Sequence, residues 1–525
     1  MNSVGARVAM VSRQWLDLTN SIISDQNQSK EIRGRKLRQG CAVVLDVGKS
    51  LAKLTMWSSD RRLVDRRTRP NSRSLAVGYP SLDVHGITTW LEESLNSFAR
   101  QRDITTIIPV GHGAAACIVD QDGLCLAPVD YEGELPADLT MRYLQMRDPF
   151  SLTGSPSLPA GLNLGAQLFW LETIAPDEAR RGLIVTWPQY WAWLLCGVAA
   201  TEVTSLGCHT DLWMPGKGRP SPMAVSRGWA DRFAPLRGAG DVLGTVTKEW
   251  QERCGLPKDC AVLCGVHDSN AALLAARLYP EVADRECTVL STGTWFIAMR
   301  SVASDAKVDL ALLPESRDCL VNVDAFGAPV PSSRFMGGRE VELLEAANGS
   351  PIDPSAHEDV LLQRAARMVD AGVFALPTFQ NGVGPFPEKV GRWVGDGAGR
   401  PDDQLSRRAV ASLYLALMAN ASFDLIGSTE NFVIEGRFAG DSAFTRALAA
   451  LRPRQSVYLS QVQDNVPFGA LRLIDASLPP QAELVRVEPL DVDLTNYADR
   501  WRSLAEVGER GTPRTHENTK RRKLS

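Results

Sequence analysis

The sequence predicts an α/β protein of two similarly built domains, and three observations carry that reading. At 525 residues the chain is longer than one hydrophobic core sustains, so two substantial domains are expected. Short apolar strands alternate with segments of helical period. One local pattern (strand, small-residue turn, strand) occurs near 42–57 and returns near 287–299.

Residues 1–40 are polar and basic, with Lys30, Arg33, Arg35, Lys36 and Arg38 close together. They read as a poorly ordered extension carrying a short helix around Arg13–Ile23. Ala42–Leu45 is an apolar strand that ends at Asp46-Val47-Gly48, and Leu51–Trp57 is its hairpin partner. Ile87–Phe98 has helical spacing, with Trp90, Leu91, Leu95 and Phe98 on one side. Thr105–Val110 is a strand leading to Gly111-His112-Gly113, and Ala114–Val119 is another. Leu168–Ile174 and Trp191–Leu195 are helical. The uncharged stretch Gly182–Thr201 holds Pro188, Gln189 and Tyr190, which suits a buried helix after a loop better than a membrane span. In the second half, strand Ala261–Cys264 precedes helix Ser269–Leu278, and strand Thr288–Leu290 precedes its partner Trp295–Met299. A long helix over Gln404–Thr429 and a strand over Asn431–Ile434 lead into Glu435-Gly436.

Composition excludes several classes. A net charge of −4 gives no reason to expect nucleic acid or an anionic membrane as partner. Ten cysteines without a C-x-x-C pair and six scattered histidines argue against a disulfide scaffold or structural zinc, and for a cytoplasmic protein with reduced thiols. No apolar segment follows a basic start, so no signal peptide is expected. The C-terminal run Lys520-Arg521-Arg522-Lys523 reads as a solvated tail.

The chemistry concentrates in turns. Asp46-Val47-Gly48-Lys49-Ser50-Leu51-Ala52-Lys53 suits phosphate: Gly48 permits the turn, Ser50 offers a hydroxyl, and Lys49 and Lys53 supply charge. Asp46 is placed to hold Mg²⁺ through water. A charged hairpin with a structural Asp would read the same way. Ser291-Thr292-Gly293-Thr294, Gly337-Gly338 and Glu435-Gly436 with Gly440 are further glycine turns, the last followed by a helix capped by Asp441 or Ser442. Each alone is weak; together, with an acid on the first, they point to a nucleotide cleft. His267-Asp268 follows a strand and opens a helix. Asp268 fits two roles, a cap that offsets the helix dipole or a carboxylate facing the cleft as a base.

This set of motifs resembles the FGGY family of carbohydrate kinases, over nearly everything from Cys41 to about Arg502. Asp46–Lys53 is similar to the family's first phosphate motif, and Ser291-Thr292-Gly293-Thr294-Trp295 to its second. Gly265-Val266-His267-Asp268-Ser269-Asn270-Ala271-Ala272 resembles the segment with the catalytic Asp, and the His before it is most like the rhamnulose and fuculose kinase branch. Glu435-Gly436 through Leu448 and Pro467-Phe468-Gly469-Ala470 resemble the adenosine-binding segment and the helix after it. There are departures: the family has Thr or Ser where Lys49 stands, and Glu435 replaces a glycine.

The resemblance implies a two-domain, actin-like (ribonuclease H-like) ATPase fold with a central cleft. It implies ATP and Mg²⁺, with contacts from Asp46, Gly48, Ser50, Lys53, Thr292, Gly293, Gly338, Gly436 and Gly440. It makes Asp268 the general base and Asp46 the metal residue. His112, Asp130 and His267 are its expected sugar contacts beside Asp268, with Tyr131 and Glu132 next to them and Trp90 and Gln189 as weaker candidates. The expected divisions are an extension at 1–40, a sugar-binding domain at 41–284, a nucleotide-binding domain at 285–475 and a C-terminal segment at 476–525. The expected reaction phosphorylates a ketose, deoxyketose or polyol. Its rivals are a catalytically silent sugar- or nucleotide-binding regulator, and an actin-like ATPase with a protein partner. Oligomeric state is not legible, a homodimer being the default.

Overall fold

The computed structural model describes residues 40–507 apart from 76, 284, 303–307, 346–351, 396–398 and 463–464. The readings made for the basic extension, the Arg13–Ile23 helix and the tail after residue 507 lie outside them.

The first domain is built on a seven-stranded sheet. Its strands are β1 (Cys41–Val47), β2 (Leu51–Trp57), β3 (Leu63–Pro70), β4 (Ile104–Gly111), β5 (Val242–Thr245), β6 (Ala261–Leu263) and β7 (Val266–His267). The order is β5-β6-β4-β1-β2-β3, with β7 also on β4. β1 pairs antiparallel with its hairpin partner β2 and parallel with β4. β1 and β4 are buried on both faces, which explains their unbroken apolar runs.

The second domain repeats the design. Its strands are β8 (Cys287–Thr292), β9 (Phe296–Ser301), β10 (Cys319–Val323), β11 (Pro329–Phe335), β12 (Asn431–Gly436), β13 (Ser456–Leu459) and β14 (Val485–Arg486), in the order β10-β11-β9-β8-β12-β13-β14. As in the first sheet, the opening strand β8 pairs antiparallel with its hairpin partner β9 and parallel with β12.

Helices cover these sheets. α1 (Val84–Ala99) is capped by Asp83, which accepts the Gly86 N–H, and buries Ile87, Leu91, Leu95 and Phe98. Trp90 is only half-buried. The uncharged stretch after Gly182 forms a strand, Leu183–Thr186, and then α2 (Trp187–Cys196), which ends where Gly197 turns left-handed at φ 75°. Among the described residues no helix is long and apolar enough to cross a membrane. α3 (Asp268–Ala276) starts one residue earlier than the small-residue run suggests. α4 (Gln404–Leu425) is buried on nearly every side, and it stops short of Thr429 because Gly427 turns at φ 68°. α5 (Ser442–Leu451) opens on Asp441, which caps the Phe444 N–H.

Two late segments complete cores begun far earlier. α6 (Asn465–Leu471) lies on α3, so close that a Cβ on Gly469 would overlap the Ala271 carbonyl. Phe468, Ala470, Leu471 and Leu478 join a cluster with Ala42, Val44, Ile108 and Val110 of the first sheet. α7 (Thr495–Val507) packs on the second domain, where Trp501 Nε1 donates to the Ala375 carbonyl at 2.8 Å.

Candidate active site

The hairpin turn between β1 and β2 is tight. Gly48 N–H donates to Leu51 O at 3.1 Å, and a Cβ on Gly48 would lie 3.0 Å from that same oxygen. Asn71 pins the turn from outside, its Nδ2 donating to Gly48 O at 2.8 Å and its N–H to Ser50 O at 2.9 Å. Cross-strand register sets Lys53 opposite Asp46, with 3.5 Å between Nζ and Oδ2. Ser50 is exposed at the tip.

Lys49 departs from the sequence reading, which placed it beside a triphosphate. Its Nζ lies 2.6 Å from Asp130 Oδ1 and 3.6 Å from Glu132 Oε2, and it sits 5.3 Å over the Tyr131 ring. Asp130 in turn takes Arg73 Nε at 2.9 Å. Burial alone would raise the Asp130 carboxyl, but hydrogen bonds from Lys49, Arg73 and the Glu132 N–H hold it below the usual carboxylate range. Asp130, an expected sugar contact, has a side chain that is 0% exposed. Asp130 anchors two cations instead, and Lys49 and Tyr131 stand in front of it.

β7 runs parallel to the end of β4, pairing Val266 with Val110 and His267 with Gly111, so His267-Asp268 arrives beside His112. The turn that allows this needs glycine, since Gly265 has φ 88° and a Cβ there would overlap the Pro109 carbonyl. Gln189, a weak sugar-contact candidate, is 0% exposed and holds this turn, its Nε2 donating to Cys264 O and Gly265 O at 3.2 and 3.1 Å. Trp90 lies away from the site, packed with the first-domain core.

His112 stacks on Trp187 at 5.6 Å and meets Tyr131 edge-on at 5.2 Å. Its Nδ1 accepts the Ala114 N–H at 3.3 Å, which leaves the proton on Nε2. That Nε2 is buried and has no hydrogen-bond partner among the described residues. Burial, reinforced by the charges of His267 and Lys49, pushes the His112 pKa down to about 3, so the ring is neutral.

The His267 Nδ1 faces the Asn270 amide nitrogen at 3.3 Å and accepts from it. Its Nε2 lies 3.3 Å from Asp268 Oδ1 and 3.7 Å from the Cys208 sulfur. Burial lowers the His267 pKa to about 4. Its backbone N–H donates to Thr204 Oγ1 at 3.0 Å, and that hydroxyl donates to the fully buried Glu202 at 2.5 Å.

Asp268 is the first residue of α3, and its Oδ1 takes the Ser269 N–H at 2.6 Å and the Ser269 hydroxyl at 3.2 Å. It therefore serves its helix terminus, and it does more. Its side chain keeps 30% of its surface open, yet protein walls the rest of the carboxyl, and this burial pushes its pKa up to about 6 against the opposing pull of Ser269 and Lys53.

In the second domain the glycine turns converge. Thr292 is paired with Gly436, whose φ of 87° and approach to Thr292 O exclude a side chain. Thr292 Oγ1 donates to Glu435 O at 2.5 Å and accepts the Phe438 N–H at 3.0 Å. Gly338, at the start of the helix Gly337–Glu345, abuts the Gly293 carbonyl. Gly440 ends the neighbouring 3-10 turn Arg437–Gly440, one step beyond this group. Glu435 points inward, taking the Ser291 hydroxyl at 2.6 Å and the Asn465 amide. The glycine it replaces would leave both donors unpaired.

Against this geometry, residues 284–482 match the family described as carbohydrate kinase FGGY, C-terminal domain. A carbohydrate kinase from Novosphingobium aromaticivorans is similar in structure at a TM-score of 0.84 and 49% identity, over 88% of this chain and 100% of that one. The chain belongs to the FGGY family of carbohydrate kinases. Its two-domain structure is the actin-like (ribonuclease H-like) fold of that family, shared also by a xylulose kinase from Rhodospirillum rubrum (TM-score 0.69, 17% identity, 89% of this chain and 98% of that one). The L-fuculokinase of Escherichia coli strain K12 is 24% identical over 312 residues, 55% of this chain and 62% of that protein. A rhamnulokinase from Ligilactobacillus salivarius is 30% identical over 112 residues, 21% of this chain and 22% of that protein. The match thus spans somewhat under two thirds of the L-fuculokinase.

Within this FGGY site, sequence reasoning missed the Lys49–Asp130–Arg73 cluster and the Glu202–Thr204 support under His267.

Proposed function

We propose that this chain is an ATP-dependent kinase that phosphorylates a hydroxyl of a sugar or polyol, with Asp268 as general base. One observation carries the reading: an Asp268 carboxylate with a pKa raised to about 6, held at a helix start beside the neutral His112 and His267. Such a group is ionised at neutral pH and still basic enough to take a hydroxyl proton in the transition state. As the acceptor oxygen bonds to the γ-phosphorus, the bond from that phosphorus to the bridging oxygen breaks, ADP leaves, and the hydroxyl proton passes to Asp268.

The unpartnered Nε2–H of His112 suits a hydrogen bond to a sugar oxygen, which fixes the acceptor next to Asp268. Ser269 holds the Asp268 carboxylate through its N–H and hydroxyl, with the neutral His267 ring alongside. The small residues Thr292, Gly293, Gly338 and Gly436, with Gly48 and Ser50 of the first domain, leave room for the phosphates, and Lys53 adds charge. Gly440 lies where the adenosine end would extend. Asp46, a strand-end carboxylate facing Lys53, would hold Mg²⁺, which would neutralise charge on the phosphates.

The similarity to an L-fuculokinase and a rhamnulokinase, and the His before Asp268, favour a deoxyketose such as fuculose or rhamnulose, ahead of xylulose, ribulose or a polyol. The setting is the cytoplasm. A coupled ADP-release assay over a panel of ketoses, sugar acids and polyols tests the reading. Turnover that needs an acceptor supports it; ADP release that ignores every acceptor overturns it in favour of an ATPase.

A further inference from the structure

One cation of the cleft has no part in this mechanism. Arg334 is on β11, opposite Ile297 of β9 and close to Trp295 at the end of the second phosphate-type turn. Its Nε donates to Asp318 Oδ1 at 2.9 Å, and the other Asp318 oxygen accepts the Gly384 N–H at 2.8 Å. The guanidinium lies 4.9 Å from the centre of the Trp295 ring. Its rotamer is therefore fixed twice over, by a tether at Nε and by stacking. Both Nη groups are left without a hydrogen-bond partner among the described residues.

The strand beside it meets the first domain. On β10, Val321 N–H donates to Gly154 O at 2.8 Å, and Gly207 approaches the Val323 side chain too closely for a Cβ. Cys208 and His209 follow Gly207 directly. Arg334 is near enough that its charge acts on both, beside Asp268 on Cys208 and beside His267 on His209. A purely structural strap would need only Nε on Asp318 and could leave the rest in open water. Here the side chain is only 14% exposed, and both Nη groups are unpaired among the described residues.

We propose that Arg334 binds an oxyanion in the cleft through its two free Nη groups. A guanidinium whose orientation is already set presents parallel N–H donors that match the two oxygens of a carboxylate or a phosphoryl group, and neutral hydroxyls use that fork poorly. Two sources carry such an oxyanion: a carboxylate on the acceptor, as in a sugar acid, and the phosphoryl group in transfer. The inference rests on the kinase reading for the identity of these sources, while the presence of an anion site is independent of it.

The test titrates the full chain with D-gluconate and with inorganic phosphate by calorimetry, using ADP binding as the control for an intact fold. The wild type is expected to bind at least one of the two anions. Arg334→Met is expected to weaken that binding by about tenfold or more with ADP affinity unchanged, and Arg334→Lys to restore only part of it, since an ammonium cannot present a fork. A loss confined to gluconate assigns the oxyanion to the acceptor, with a raised KM for acidic acceptors and an unchanged KM for neutral ones. A loss confined to phosphate assigns it to the transferred group, with a lower kcat for every acceptor. Wild type binding neither anion, or Arg334→Met binding both as wild type does, overturns the proposal. Failure of the kinase reading shows separately, as wild-type ADP release that no acceptor stimulates.

Discussion

The two hairpin turns that open the two sheets, Gly48–Ser50 and Gly293–Trp295, occupy equivalent places in one repeated design and carry different chemistry. Each follows a central strand flanked by an antiparallel partner and a parallel neighbour. The first turn is ionic, with Asp46 facing Lys53 and Lys49 reaching back to a buried Asp130. The second is uncharged and fixed by hydroxyl and backbone bonds, Thr292 Oγ1 lying between Glu435 O and the Phe438 N–H. The scaffold was repeated without its chemistry. The first turn is held by charges, and the second by hydroxyl and backbone bonds that small residues leave room for.

Ways to break this contrast differ in size. Asp268→Asn removes the base, and kcat is expected to fall about 10²–10⁴-fold while ADP binding by calorimetry stays as in wild type. Near-normal turnover in that variant would refute the assignment. Lys49→Met strips one of two cations from a fully buried carboxylate, and a stability loss of about 2–3 kcal/mol in urea unfolding is expected. Adding Asp130→Asn should recover part of that loss, because the uncompensated charge disappears; strictly additive losses would mean the pair is not coupled. Gly436→Ala tests the neutral turn. Its positive φ and contact with Thr292 O predict about 1–3 kcal/mol of destabilisation and a higher KM for ATP than for the acceptor, read from steady-state kinetics.

The smallest effect comes from pH. Asp268 must be ionised to act, and its raised pKa sets the limb, so kcat/KM should drop about tenfold per unit below pH 6. His112 and His267, held down at about 3 and about 4, should add no second limb between pH 5 and pH 8. An inflection near 6.5 that survives Asp268→Asn would transfer the titration to another group.

Much of this was legible in the residues. Hairpin partners, the strand before His267 and the second phosphate-type turn all follow from short apolar runs that meet small residues, a local signal. That Asp268 serves its helix start was also legible, since a first-turn carboxylate pairs with N–H groups there. What escaped were pairings across long sequence distance. Lys49 and Asp130 stand 81 residues apart, and nothing in either segment names the other. Gln189 reads as a pocket residue in sequence because an amide suits sugar, whereas burial has committed it to two carbonyls of the Gly265 turn. Glu435 reads as a substituted glycine, and only the fold reveals its two donors.

The contact of α6 with α3 bears on how the chain is made. Phe468, Ala470, Leu471 and Leu478 fill a cluster whose other buried members lie between Ala42 and Ala275. During synthesis, then, the first domain emerges with an apolar face whose cover is almost two hundred residues behind it on the ribosome. That face is covered only once residues up to Leu478 have emerged. A chain cut at residue 460 should accordingly be insoluble or chaperone-bound, although it retains every residue of the first sheet.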